Sequence, residues 1–420
     1  MFSIAKSYTA LAVCALTAEG KLHPEDPIIR YFPDLTPCDP HPWLACMTIQ
    51  DLLDMKTCHA STTYKLNPAE NWVRSFFITP PDHRSGQIFK YDTGAAHVLA
   101  SLVRRVSGKG VLDYLRDVFL DGIGFSREAY MMKDPFGDEI GGSGLMARSS
   151  DLMVTAEFLM ALWQNRWKQP YRHLLTDRFD EAFFLRFRDL FLQCVSFRSA
   201  TVHEGKTLEE CQGYGSQFWR IRNGFAMYGM GGQYAAFFPE EDLIIVTTAD
   251  TQAVQGGTQL ILDEIYRMDH QFRNPDAADA PVSTAQVPES HGYAQLLEQV
   301  IDQLAGSYSI QENPQGFVSC TILRDEAVLV HRDCTFRFPI FLSDAAEITD
   351  PKYHQKLYIT TSPLKDGSLY QYIQILDSYV GSIRITYHGS DGKLTIHLHK
   401  IEECVFPEMN GFLEAVKTAD

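Results

Sequence analysis

The chain has 420 residues, more than one ordinary core accommodates, and its 45% apolar and 21% charged composition is that of a globular protein with two domains. A formal net charge of −16 without a basic face excludes nucleic acid as a partner. No apolar stretch reaches the about 20 residues that a membrane-spanning helix needs.

Residues 3–19 read as a helix: Ser3 suits its start, apolar residues recur at Tyr8, Leu11, Ala12, Ala15 and Leu16, and Gly20 stops it. A proline-rich loop follows, and Thr48-Ile49-Gln50-Asp51 opens a short helix through Met55. Further helices are expected over 68–77, 94–106 and 110–120, over Ser149 to about Trp163, and over roughly 178–195. After Gly213 the pattern becomes a meander of short β-type runs at 217–222, 225–228, 233–238 and 243–248, closed by a helix near 259–268. Helices on both sides of a meander predict an α+β domain, an antiparallel sheet flanked by helices, over residues 1–272.

Residues 273–289, rich in Pro, Ala, Ser and Asp, read as a linker. A helix near 293–304 then precedes strand-like runs at 316–323, 326–331, 356–361, 368–376, 380–388 and 393–399. Residues 290–420 are therefore expected to form a smaller all-β domain, a barrel or a sandwich. The nine cysteines are scattered without a C-x-x-C pair and read as reduced thiols, which points to a cytoplasmic protein. Fourteen histidines show no metal-ligand spacing, so neither a metal nor another cofactor is expected. The oligomeric state is not written in the sequence.

Ser3-Ile4-Ala5-Lys6 is an S-x-x-K at a helix start, which puts hydroxyl and amine on one face, one turn apart. A serine becomes a nucleophile when a neighbour takes its proton, and a buried lysine can do so once its pKa falls toward neutrality. Alone the motif is common, and a capping serine beside a solvated lysine is its ordinary meaning. Its surroundings give it weight: Glu19-Gly20-Lys21-Leu22, Asp26-Pro27, Tyr31-Phe32-Pro33 and Thr48-Ile49-Gln50-Asp51-Leu52-Leu53-Asp54-Met55 follow in order. So do Phe89-Lys90-Tyr91-Asp92-Thr93-Gly94-Ala95, Gly141-Gly142-Ser143-Gly144-Leu145, and Gly213-Tyr214-Gly215 with Tyr228-Gly229-Met230-Gly231-Gly232-Gln233-Tyr234.

Over about residues 1–268 this text resembles the class C β-lactamase-like, penicillin-binding-type serine hydrolases. The resemblance implies Ser3 as nucleophile, Lys6 as general base and Tyr91, in the place of the Y-x-N box, as proton relay. It implies an oxyanion and substrate strand at Gly231, Gly232 and Gln233, with Thr93, Tyr228 and His59 as candidate substrate contacts. Without a carboxylate partner in the sequence, His59 is expected instead at the surface or a helix end. The glycines of 141–144 are expected to serve a tight turn and no chemistry.

Two departures from the family pattern bear on function. Thr93 stands where the family has Asn, and no Lys or His occupies the third box, though Arg220 or Arg222 could supply a cation from a neighbouring strand. An ester or amide substrate, small and neutral, is therefore favoured over a β-lactam or a peptide carboxylate. The family also places a helix and edge strands ahead of the S-x-x-K helix, where only Met1 and Phe2 precede Ser3 here. A sheet lacking those strands is expected to expose an apolar edge and to leave Ser3 on a frayed end, with any signal peptide lost alongside. The competing reading is a catalytically impaired relative that keeps the fold as a binding or scaffold module; a β-lactamase or D-Ala-D-Ala peptidase is the third.

Overall fold

The computed structural model describes residues 1–66, 69–205, 207–251, 257–272, 291–340, 346–376, 381–401 and 406–418. The expected linker at 273–289 lies outside them. Two compact units are present, Met1–Asp279 and Ala280–Asp420.

The first unit is organised around α1 (Ile4–Ala18). Fourteen of its fifteen residues are buried, Leu11 and Ala12 as completely as Ile4, so this is a core helix enclosed on all sides and not the half-buried helix its periodicity suggests. Small residues at Ala5, Ala10, Ala12 and Ala15 let the neighbouring helices approach it. The further helices follow in chain order: α2 (Pro42–Ala45), α3 (Ile49–Leu53), α4 (Trp72–Ile78), α5 (Thr93–Ser107) and α6 (Val111–Leu115), which continues as a wider π-type turn through Leu120. Thr48 and Asp51 form a reciprocal capping box at α3, at 3.1 and 2.9 Å. Asp92 caps α5, and Gly108, at φ +76°, ends it in the left-handed conformation that glycine adopts without strain. A two-residue pair, β1 (Tyr130–Met131) with β2 (Leu145–Met146), precedes α7 (Ser149–Trp163) and α8 (Glu181–Cys194).

Four antiparallel strands follow: β3 (Trp219–Ile221), β4 (Gly224–Gly229), β5 (Gln233–Phe238) and β6 (Leu243–Thr247), side by side in that order. Alternation sorts their side chains. Phe225, Met227, Ala235 and Phe237 join the core of α1, α7 and α8, whereas Ala226, Tyr234, Ala236 and Phe238 pack on Leu262 and Ile265 of α9 (Gly257–Phe272). Covered on both faces, β5 is buried along its whole length. β6 is an edge strand of this sheet, and its apolar residues Leu243, Ile244 and Val246 are half-buried. The N-terminal segment is not frayed as expected: the Met1 nitrogen donates to the Leu145 carbonyl at 2.9 Å, and Phe2 pairs with Gly144 as a parallel bridge.

The second unit begins with α10 (His291–Leu304). Ten strands follow: β7 (Gly306–Ile310), β8 (Phe317–Ile322), β9 (Glu326–His331), β10 (Thr335–Pro339), β11 (Ala346–Thr349), β12 (Lys356–Pro363), β13 (Leu369–Ile375), β14 (Ser382–Ser390), β15 (Lys393–Ile401) and β16 (Gly411–Lys417). They make one antiparallel sheet in the order β10-β9-β8-β7-β16-β15-β14-β13-β12-β11. The sheet curls like a barrel around an apolar interior, and Leu297, Val300, Ile301 and Leu304 of α10 belong to the same core. Where the sheet turns back on itself, side chains make the link: Gln371 on β13 donates to the Pro339 carbonyl at 3.1 Å, and Thr361 on β12 donates to the same carbonyl at 3.3 Å. The Tyr387 hydroxyl donates to Gln371 Oε1 at 3.0 Å.

Of the cysteines, Cys14, Cys58, Cys194 and Cys320 are buried, Cys38 and Cys46 are exposed, and Cys404 lies outside the described residues. Among the described residues no helix is long and apolar enough to cross a membrane.

Gln371 is fully buried and has four partners, so Gln371→Ala strands the Tyr387 hydroxyl and leaves the Pro339 carbonyl with the Thr361 hydroxyl alone. The expected cost is about 2–4 kcal/mol in urea unfolding of the full chain. A variant as stable as the parent would show that this network does not hold the curl together.

Candidate active site

Ser3 and Lys6 face the same way because three helical residues make nearly one turn. The Lys6 amine is 1% exposed, and its Nζ donates to Ser3 Oγ at 3.0 Å, to Thr93 Oγ1 at 3.3 Å and to the Gly142 carbonyl at 2.6 Å. Ser3 and Thr93 are half-buried, so this tripod has a solvent side. Burial lowers the Lys6 pKa to about 7; the carboxylate of Asp92 opposes that shift and the ammonium of Lys65 adds to it.

Tyr91 lies on the other side of the serine. Its ring centroid is 4.8 Å from Lys6 Nζ. Burial pushes the phenol well above its ordinary range, and the nearby Ser3 side chain offsets part of that shift. Behind Tyr91 stands an aromatic wall: Trp219 of β3 stacks on it at 5.6 Å, Tyr214 and Phe89 meet it at 6.2 and 6.4 Å, and Tyr228 lies 6.4 Å beyond Trp219. Tyr228 is itself stacked on Tyr234 at 4.6 Å.

Thus Ser3, Lys6, Tyr91 and Thr93 come together. Of the remaining candidates, Tyr228 stands at the far end of that aromatic wall and the others lie elsewhere. Gly231 and Gly232 form the β4–β5 turn, with φ of +85° and +94°, and their contacts run to residues 249–251 and α9: the Gly231 carbonyl accepts from Thr251 N at 3.1 Å, and a Cβ on Gly232 would press on Ile261 and Ala249. Gln233 donates to the carbonyls of Met230 and Ala249. The strand residue that meets the Ser3 segment is Gly229, where a Cβ would stand 2.2 Å from the Met1 carbonyl oxygen. His59 is buried, 1% exposed, against the expectation of a surface position; its ring sits edge-on to Phe76 and shares a 2.9 Å hydrogen bond with the Phe76 carbonyl.

Both arginines of the third segment are engaged. Arg220 donates to the Val195 carbonyl at 2.8 Å, and Arg222 pairs with Glu209 at 2.7 Å while lying 4.1 Å over the Tyr266 ring. Gly142, expected to do no chemistry, supplies the shortest contact of the lysine. A Cβ there would stand 2.5 Å from Thr93 Cγ2, so glycine is what lets the turn lie against α5. Adjacent glycines between two predicted elements were the signal of close backbone approach, but they did not name the partner. Among the described residues no group of three or more His, Cys, Asp or Glu side chains is arranged to hold a metal ion.

Between about pH 7 and the ordinary lysine value of 10.5 the unfolded chain carries a proton on Lys6 that the folded chain has lost, so stability rises with pH across that window and is flat below it. Lys6→Met removes this dependence. Its stability relative to the parent should therefore be greatest at and below pH 7 and fall by about 1.4 kcal/mol per unit above it, as read by urea unfolding at a series of pH values. A difference that does not vary with pH would mean that the amine is not depressed.

Comparison with known proteins gives a family match over part of the chain and structural likenesses at low identity. No curated protein matches the chain. Among solved structures, a Bacillus anthracis protein described as a 6-aminohexanoate-dimer hydrolase is similar at 19% identity and TM-score 0.49, over 66% of this chain and 73% of its own. An octameric penicillin-binding protein homologue from Pyrococcus abyssi is similar at 15% identity and TM-score 0.46, over 99% and 87%. A penicillin-binding protein homolog from Caulobacter crescentus gives 13% and 0.46, over 64% and 82%. The family model Beta-lactamase matches residues 1–130, the segment that holds Ser3, Lys6, Tyr91 and Thr93.

Proposed function

We propose that the protein is a serine hydrolase that works through an acyl-enzyme on esters or amides with a neutral acyl group. The observation that carries this reading is the 3.0 Å contact between Ser3 Oγ and a buried Lys6 amine whose pKa is brought to about 7. When the amine is neutral, its two hydrogens have acceptors in the Gly142 carbonyl and Thr93 Oγ1, which leaves its lone pair for the Ser3 hydroxyl proton.

In the first step the Ser3 Oγ–carbonyl carbon bond forms and the serine proton passes to Lys6. The proton then reaches the leaving alcohol or amine through Lys6 and the Tyr91 hydroxyl as the ester or amide bond breaks. Water reverses the sequence: it gives a proton to the same pair, attacks the acyl carbon and releases Ser3. The Ser3 N–H at the start of α1 and an N–H of β4 beside Gly229 are the natural donors to the oxyanion. The substrate preference follows from the engaged arginines: with Arg220 on Val195 and Arg222 on Glu209, β3 offers no cation to a substrate carboxylate, and aromatic rings line that side instead.

An active-site-directed fluorophosphonate is expected to label the full chain, and Ser3→Ala to abolish labelling. Labelling that survives the substitution removes Ser3 from the mechanism, and a folded parent that takes no label supports the binding-module reading. Tyr91→Phe should slow the turnover of a p-nitrophenyl ester by about 10²–10⁴. Rates should climb as pH rises through about 7, because the protonated lysine cannot accept the serine proton. Neutral p-nitrophenyl esters should be preferred over those with a terminal carboxylate; rapid nitrocefin turnover would overturn that preference.

A further inference from the structure

The residue between the two site residues of the second box has no part in the mechanism so far. Asp92 is fully buried, between Tyr91 and Thr93. Its Oδ1 accepts from Gly94 N at 2.8 Å and from the Thr62 hydroxyl at 3.0 Å, and the Thr57 hydroxyl donates to Oδ2 at 3.4 Å. Thr62 Oγ1 in turn accepts from Thr93 N at 3.1 Å, and Thr93 Oγ1 accepts from Lys6 Nζ. One hydrogen-bonded path therefore runs from the carboxylate to the amine, through Thr62 and Thr93.

We propose that Asp92 is a positioning residue for the Ser3–Lys6 pair, its buried carboxylate fixing Thr93 against the lysine and giving the amine a counter-charge. The proposal rests on the hydrolase reading above. A helix cap alone needs no buried charge, since an exposed Asn or Ser caps as well. Here the charge is kept out of water beside a buried amine. Burial raises the Asp92 pKa to about 6, so it is ionised through the range in which Lys6 loses its proton, and it is one of the groups that keep the lysine from falling lower. The charged groups that act on Lys6 are Asp92 and Lys65, and its other neighbours are Ser3, Thr93, the Gly142 carbonyl and the Tyr91 ring. Around Asp92 stand Lys6, the Thr57 and Thr62 hydroxyls and the Cys58 thiol, which burial pushes up to about 12. A base must be neutral at working pH and still basic enough to take a serine proton, and a lone buried lysine satisfies the first condition at the expense of the second. The carboxylate moderates that trade.

The test is the rate of fluorophosphonate labelling of Ser3 against pH, in the full chain. Asp92→Asn keeps the cap and most of the hydrogen bonds but removes the charge. Its acid limb is expected to move to lower pH by about one unit, because the amine loses its counter-charge, and its plateau to fall by about 3- to 10-fold, because the base is weaker. Thr62→Val keeps the charge and cuts the path, so its plateau should fall while the limb stays. A purely structural Asp92 predicts a lower plateau with an unmoved limb in Asp92→Asn, and that outcome, or a limb moved upward, overturns the proposal. Should Asp92→Asn not fold, Asp92→Ser, which keeps a capping oxygen and drops the charge, reads the same limb. A parent chain that takes no label at Ser3 fails the hydrolase reading and this proposal together; a labelled parent with an unmoved limb fails the proposal alone.

Discussion

An amine buried in a protein core has to be satisfied by hydrogen bonds or give up its proton, and Lys6 does both. Desolvation drives the proton off, and the Gly142 carbonyl, Thr93 and Ser3 hold the nitrogen in place. Every larger feature of the first unit serves that arrangement. A helix buried on all sides fixes the Ser3–Lys6 spacing, α5 presents Thr93 at its capped start, and the glycine turn ahead of α7 brings a main-chain carbonyl to 2.6 Å. The stability of the unit and the reactivity of its site are therefore parts of one packing problem. Few positions on α1 affect only one of them.

How much of this could be read in advance depends on the distance over which each feature is encoded. Caps and periodicity are local, so α1, α3, α5, α7 and the four-strand meander emerge close to their observed limits, and the order of the boxes points to Ser3, Lys6 and Tyr91. Contacts between elements far apart in sequence are not encoded that way. Gly142 lies 136 residues from Lys6, and nothing in its neighbourhood says which side chain its carbonyl receives. Alternation along β3 could not say that Arg220 reaches Val195 and Arg222 reaches Glu209, because both bonds depend on where α8 and the 209–212 turn come to rest. His59 misleads for a related reason: a polar residue with no visible partner reads as surface, and its partner is a backbone carbonyl of α4.

The second unit shows the same limit for strands. The runs with clear alternation, β8, β9 and β12 to β15, are legible, while β7 starts on a glycine, β10 ends in a proline and β11 spans four residues. Those are edge or joining strands, whose place is set by the sheet that receives them. The choice between barrel and sandwich turns on closure, and here it rests on Gln371 and Thr361 reaching the Pro339 carbonyl, a link between side chain and backbone that no strand pattern announces.

The Gly142 carbonyl also constrains how this site can change over time. A hydrogen bond accepted by the main chain cannot be deleted by exchanging a side chain, so the anchor of the lysine is shielded from the usual route by which contacts are lost. What remains exposed to mutation is the space beside it, since a Cβ at residue 142 would stand 2.5 Å from Thr93 Cγ2 and 2.9 Å from the Thr93 carbonyl. The chemistry at position 93 can drift among small polar residues while the lysine keeps its place. A single methyl group at position 142 would act as a wedge and disturb the serine, the lysine and the threonine at once.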